Sequence, residues 1–190
     1  MKQRGFTILE LMIAITVAAF ILMSTAPSIS GWMRNTRIRT AAESMSNGLQ
    51  QARSEAVRRN QSVSFYLVSD SDAVSMSNSC ALSSTSSGWV VAPNSPEGKC
   101  ATDRDTFIAM RPPGNTVGGI SVLANASTVT FNGYGQISNL LPINCIKLSN
   151  SVDTTARKLN IAVNPGGQVR MCDPKVDDSD PRACQASCKN

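Results

Sequence analysis

From Phe6 to Ala26 the chain runs 21 residues with a single charge, Glu10. A helix that crosses a bilayer needs about 20 predominantly apolar residues, so this segment predicts a membrane span. Lys2 and Arg4 precede it and hold that end in the cytoplasm. A conventional cleaved secretory signal fits less well, because its apolar region is typically about 7–15 residues long. Pro27 also follows directly on the one small-residue stretch, Ser24-Thr25-Ala26, at which such a cut would fall. Glu10 is the informative residue. An acid in an apolar helix costs about 2.5–3.5 kcal/mol at the bilayer centre and less towards an end, so its presence implies a positive partner. Cleavage after Gly5 would create one, the new amine of Phe6, and would repeat it on every neighbouring subunit.

Lys2-Gln-Arg-Gly5 followed by Phe6-Thr-Ile-Leu-Glu10-Leu resembles the class III signal of type IV pilins and secretion pseudopilins. The resemblance implies an inner-membrane prepilin with a periplasmic head. A prepilin peptidase would cut after Gly5 and N-methylate Phe6, and Glu10 would be the acid at the fifth mature position. Pro27 falls where such proteins often place a helix-bending proline. The implied organisation is a leader at 1–5, a transmembrane and assembly helix at 6–27, an amphipathic stem helix at 28–60 and a β-rich head at 61–190. A narrower resemblance lies in Leu49-Gln-Gln-Ala-Arg53-Ser-Glu55-Ala-Val-Arg58-Arg59-Asn60, which is similar to the end of the stem helix in FimU and FimT minor pilins and GspH pseudopilins.

The stem pattern stands on its own. Ile38, Ala41/Ala42, Met45, Leu49, Ala52 and Ala56 recur every three or four residues and make one apolar stripe. Glu55 pairs at helical spacing with Arg58 and Arg59. Gly31 and Gly48 each weaken a helix by about 1 kcal/mol relative to Ala, and Gly31, close to Pro27, suggests a joint. After Asn60 the period changes to two. Strands are predicted at 62–68, 88–92, 106–110, 120–123, 128–131, 145–149, 158–163 and 168–172. Asn132-Gly133 marks a hairpin turn and Asn164-Pro-Gly-Gly167 a longer one. The serine-rich stretch from Ser69 to Ser87 is non-periodic and is expected to lie as a loop over the sheet. The fold class is α+β, which under the resemblance is the pilin fold: one long N-terminal helix packed on an antiparallel β head.

Six cysteines point to three disulfides and an oxidising compartment. Cys80 and Cys100 flank the segment around Trp89, and joining them would close a loop worth roughly 3 kcal/mol. Cys145 and Cys172 lie on strands that could be neighbours, and Cys184 and Cys188 share the tail. The expected set is therefore Cys80–Cys100, Cys145–Cys172 and Cys184–Cys188, although many pairings remain open. Zinc is a poor reading of these thiols, since the chain has no CxxC and no histidine.

The absence of histidine also removes the Ser-His-Asp triad and the Cys-His pair. No nucleophile has a visible base, and no metal or cofactor is expected. Asp177-Asp178-Ser179-Asp180 lacks the Gly and distal Glu of a calcium loop and reads as a solvated acidic tail. Nor is an enzyme expected. DNA is a second possible ligand, because FimT-type receptors in natural transformation carry a Gly-Arg-x-Arg motif near the C-terminus. Here the matching stretch is Gly167-Gln168-Val169-Arg170, so Gly167 and Arg170 are the candidate contacts and the first arginine is missing. From Asn60 onward ten basic residues balance ten acidic ones, whereas DNA affinity rests on a concentrated surplus. Arg157, Lys158 and Arg170, near one hairpin, are the residues that could supply one by clustering. The two Asn-x-Ser sequons, at Asn60 and Asn125, are taken as chance. The resemblance implies an interaction protein, a minor pilin that joins other minor pilins and the major pilin in a tip or priming complex. That role would support twitching, adhesion and DNA uptake. Its alternatives are a GspH-type pseudopilin of type II secretion and a DNA receptor. The tail from Met171 to Cys184 is FimU-like and favours the pilus.

Overall fold

The computed structural model describes residues 7–72, 74–114, 119–153 and 155–189, with the backbone alone described at 23–29. One helix, α1 (Ile8–Arg59), dominates the molecule. At a rise of about 1.5 Å per residue, its 52 residues span about 78 Å. Thr7 caps its start, accepting a bond from the Glu10 N–H at 3.3 Å. Asn60 ends it in the left-handed conformation, with φ of 50°, a role Asn fills when Gly is not used. The helix runs unbroken through Pro27 and Gly31.

Among the described residues nine strands follow: β1 (Val63–Ser69), β2 (Ala81–Leu82), β3 (Gly88–Ala92), β4 (Ala109–Arg111), β5 (Ile120–Ala124), β6 (Thr128–Phe131), β7 (Cys145–Asn150), β8 (Leu159–Val163) and β9 (Val169–Cys172). They form two antiparallel sheets. In the first, β3 takes one edge of β1 and carries β4, while β2 and β6 share the other edge of β1 end to end. The second has the order β5-β7-β8-β9. Two strands differ from the sequence pattern. The strand predicted at 106–110 begins as a 3-10 turn, Arg104–Thr106, and only Ala109–Arg111 pairs. The serine-rich loop contains the two-residue β2, which pairs Val68 with Leu82.

Both sheets pack their inner faces on the distal half of α1. Ile38, Ala42, Met45, Leu49, Ala52 and Ala56 are fully buried, and they share one core with Phe65, Leu67 and Phe131 of the first sheet and Ile146, Leu148 and Ile161 of the second. The outer faces are covered as well. The loops after β1 and β3 fold back so that Met76, Cys80 and Cys100 pack on Tyr66, Val68 and Val90. The C-terminal tail lays Cys188 on Cys145 and Ala162. Burial on two faces explains why β1, β3 and β8 carry few polar residues where alternation would place them.

Each cover is fastened by a disulfide. Cys80 joins Cys100, with Cα atoms 6.1 Å apart. The other two pairs differ from expectation: Cys145 joins Cys188, and Cys172 joins Cys184. Cys145–Cys172 is excluded because β8 lies between their strands. Two strand spacings are about 9.5 Å, beyond the roughly 6.8 Å that Cα atoms of a disulfide reach. Cys184–Cys188 fails because the two face different targets. Asp173 donates its N–H to the Arg182 carbonyl at 2.8 Å, which draws Cys184 to the end of β9, and the turn at Ala186–Cys188 then carries Cys188 onto β7.

Gly48 is a helix-weakening residue with a packing reason. A Cβ there would sit 2.9 Å from the Phe65 ring and 3.0 Å from that of Trp89. These rings stack at 5.7 Å, and the Trp89 indole N–H reaches Ser44 at 3.2 Å. Alanine would gain about 1 kcal/mol of helix propensity, but overpacking a filled core costs about 1–3 kcal/mol. Gly48→Ala is therefore expected to lower the melting temperature. A rise would show that the rings yield freely.

Candidate assembly surface

The feature that most needs a partner is the proximal half of α1. Every residue from Thr7 to Leu22 is exposed, and the apolar ones lie all round the helix, with Ile8 at 81% and Phe20 at 79%. A helix apolar on all sides is stable only when covered by protein or lipid. Trp32 and Met33 continue the exposed surface towards the head. Among the described residues no helix is long and apolar enough to cross a membrane. The span expected at 6–27 runs past Leu22, where the described side chains of this segment stop, and takes in Phe6. Gly5 and Phe6 lie outside the described residues, and Pro27 is described by its backbone alone.

Glu10 stands exposed in the first helical turn. Its position has a local cause that the hydropathy pattern passes over. Thr7-Ile-Leu-Glu10 has the spacing of a capping box, and an acid in the first turn complements the positive end of the helix. That signal was available in the sequence.

Where the stem meets the head, polar contacts fix the joint. Arg34 pairs with Asp153 at 3.1 Å, and Asn35 accepts the Arg157 N–H at 3.1 Å. Further up, the Arg53 Nε donates to the Gly135 carbonyl at 3.0 Å, and its terminal nitrogen lies 3.5 Å from the Gly166 carbonyl. Near the helix end, hydrogen bonds from Arg58 and then Arg59 hold the Glu55 carboxyl at about 2, down from 4.5. A depressed carboxyl favours the folded state above the unfolded value, and its contribution is lost as the pH falls through about 2. An NMR titration of Glu55 should find its midpoint near 2, and Arg58→Gln with Arg59→Gln should return it towards the ordinary value.

The two candidate DNA residues have other partners. Gly167 sits at φ of 78°, and any Cβ would overlap the Gly135 carbonyl oxygen that Arg53 binds. Its lack of a side chain is thus a condition of packing. Arg170 donates to the Pro181 carbonyl of the tail. Arg157 is paired with Asp173 at 3.2 Å. Arg170 faces Ala162, towards the turn end of the β8–β9 hairpin, whereas Arg157 and Lys158 lie at its open end. The cluster of these three residues does not form.

The model of the family described as type II transport protein GspH matches residues 41–167. The chain belongs to the GspH family. Residues 1–26 match the prokaryotic N-terminal methylation motif. Two crystal forms of the type IV minor pilin FimU from Pseudomonas aeruginosa strain PAO1 are similar in structure. One has a TM-score of 0.51 at 17% identity, over 81% of this chain and 99% of that one. The other gives 0.49 at 18% identity, over 77% and 99%. The first of these supports the fold: a long helix on antiparallel sheets, as in type IV pilins. No curated protein matches the chain. The GspH match begins at Ala41 and so covers the buried stripe after Ile38 and most of the head; the methylation motif covers the exposed apolar segment. Between them they span the minor pilin and pseudopilin architecture, which is a structural one.

Proposed function

We propose that the chain is a minor pilin that enters the tip or priming complex of a type IV pilus and promotes fibre assembly, and with it twitching, adhesion and DNA uptake. The observation that carries this is the proximal helix, apolar on every side and exposed from Thr7 to Leu22. In the inner membrane, lipid covers it; in a fibre, the same surface of neighbouring subunits does. The head stays in the periplasm and presents its side surfaces to specific partners, other minor pilins and the major pilin. The GspH family also supplies pseudopilins to type II secretion, and the match to that family supports this second reading. The FimU likeness bears on fold and leaves the two systems to experiment. DNA reception is the weakest reading, because Arg170 and Arg157 are engaged within the chain.

Mild cross-linking of the full-length chain in its native membrane, followed by identification of its partners, tests the assignment. Recovery of minor pilins and the major pilin supports the pilus; recovery of secretion pseudopilins instead moves the chain to the secretion tip. Processing is tested separately. Gly5→Val is expected to leave the protein at precursor size, with an unmodified N-terminus by mass spectrometry. A mature product from that variant would contradict peptidase recognition at Gly5.

A further inference from the structure

From Asn60 onward the basic and acidic residues balance, yet the fold does not mix them evenly. That part of the chain has five lysines, and four of them, Lys147, Lys158, Lys175 and Lys189, line one groove of about 400 Å³ beside the second sheet. Lys147 lies in a cross-sheet row between Leu123 of β5 and Asn160 of β8. Lys175 and Lys189 come from the tail, which Cys172–Cys184 and Cys145–Cys188 hold in place. The oxidised chain therefore builds this groove from segments far apart in sequence.

Among the described residues Lys189 is paired, with Asp178 at 2.5 Å, while Lys147, Lys158 and Lys175 have no carboxylate in salt-bridge range. Three uncompensated ammonium groups in one concavity repel each other and raise the local potential for an anion. Beside them the lining also includes apolar side chains, Leu123, 53% exposed, and Pro174. Exposed apolar side chains set among unpaired charges suit a protein partner that offers both aliphatic and acidic groups. A nucleic-acid track would offer aromatic stacking platforms or an extended basic stripe, and this groove has no aromatic in its lining.

We propose that the groove docks an acidic segment of a neighbouring pilin subunit, whose carboxylates meet Lys147, Lys158 and Lys175 while its aliphatic side chains rest on Leu123 and Pro174. This rests on the fibre-subunit reading above. Helix bundling sets which heads lie side by side, and complementary charge then selects the correct neighbour.

The test is zero-length carbodiimide coupling of assemblies that contain the full-length chain, because the reagent joins an amine only to a carboxylate in contact. The expected products are isopeptide links from Lys147, Lys158 or Lys175 to an Asp or Glu of another pilin subunit. Lys99, exposed and away from the groove, serves as the internal control. Lys147→Glu combined with Lys158→Glu should lower the yield of those links about tenfold or more, since like charges now face each other, with the melting temperature unchanged. Links confined to Lys189–Asp178 within one chain would overturn the proposal. So would groove lysines that are shielded from acetylation in the assembly but become reactive after nuclease treatment, an outcome that assigns the groove to nucleic acid. A chain absent from the assemblies sinks the subunit reading and the docking proposal together. A chain that is present with uncoupled groove lysines sinks the docking proposal alone.

Discussion

Glu10→Val is expected to insert into the membrane normally and to be missing from sheared fibres. Insertion should if anything improve, because an acid in an apolar helix is replaced by a residue that lipid accepts. Fibre entry should fail because the carboxylate is the one charge in the apolar run and needs a positive partner there. The proposed cleavage after Gly5 would free the amine of Phe6 on an adjacent subunit, which fits that need. Removing one member of a buried ion pair costs about 3–5 kcal/mol, more than about a hundredfold in the subunit equilibrium at 1.4 kcal/mol per decade. The cap at Thr7 provides a rival explanation, in which Glu10 merely supports the first turn. Glu10→Gln separates the two: it keeps the side-chain length and polarity of a capping box but loses the charge. If the pair with Phe6 matters, Glu10→Gln fails to assemble as Glu10→Val does. Normal assembly of Glu10→Val would refute any part for this residue in setting subunit register.

Replacing Cys145 and Cys188 together by serine should produce the largest loss of head stability of any single disulfide removed. In the chain-entropy model a loop from residue 145 to residue 188 is worth about 4 kcal/mol, against about 3 for each of the shorter loops closed by Cys80–Cys100 and Cys172–Cys184. The bond also fixes the tail on the outer face of β7 and β8, where the Asn160 amide donates to the Cys188 carbonyl at 2.5 Å. Without it, Cys145 and Ala162 lose their cover and Lys189 leaves the groove. Thermal melts of the three double-serine variants, taken side by side, check the order. Non-reducing peptide mapping checks the connectivity directly: peptides joining Cys145 to Cys188 and Cys172 to Cys184 are expected, and a peptide joining Cys145 to Cys172 would contradict the strand order.

The helix and its buried stripe were legible because they are local. Ile38 to Ala56 repeat at the helical period, and every residue of the stripe is buried except Ala41, which is half-buried. Strands with apolar residues, such as Val63–Ser69 and Leu159–Val163, were equally visible. What the sequence did not show was long-range order. Nothing in the spacing of Cys145, Cys172 and Cys188 reveals that β8 separates two of them and that the tail returns across the sheet. The second apolar face of β1, formed by Tyr66 and Val68, did carry a hint that something covers it. The serine-rich stretch expected to lie over the sheet supplies that cover, through Met76 and Cys80. The lysine groove was hidden for the same reason: its members are spread from position 147 to position 189, and counting charges along the chain cancels them against acids that the fold places elsewhere.

Arg53 has a mechanical meaning. From near the distal end of α1 it reaches the Gly135 carbonyl in the turn after β6 and lies against the Gly166 carbonyl in the turn between β8 and β9. One side chain thus touches a turn from each sheet. Under the proposed fibre role, tension on a subunit would run along the helix axis, and both turns lie beside that axis. Such tension would then reach both sheets through the same side chain. A subunit tethered in this way resists tension as a single block.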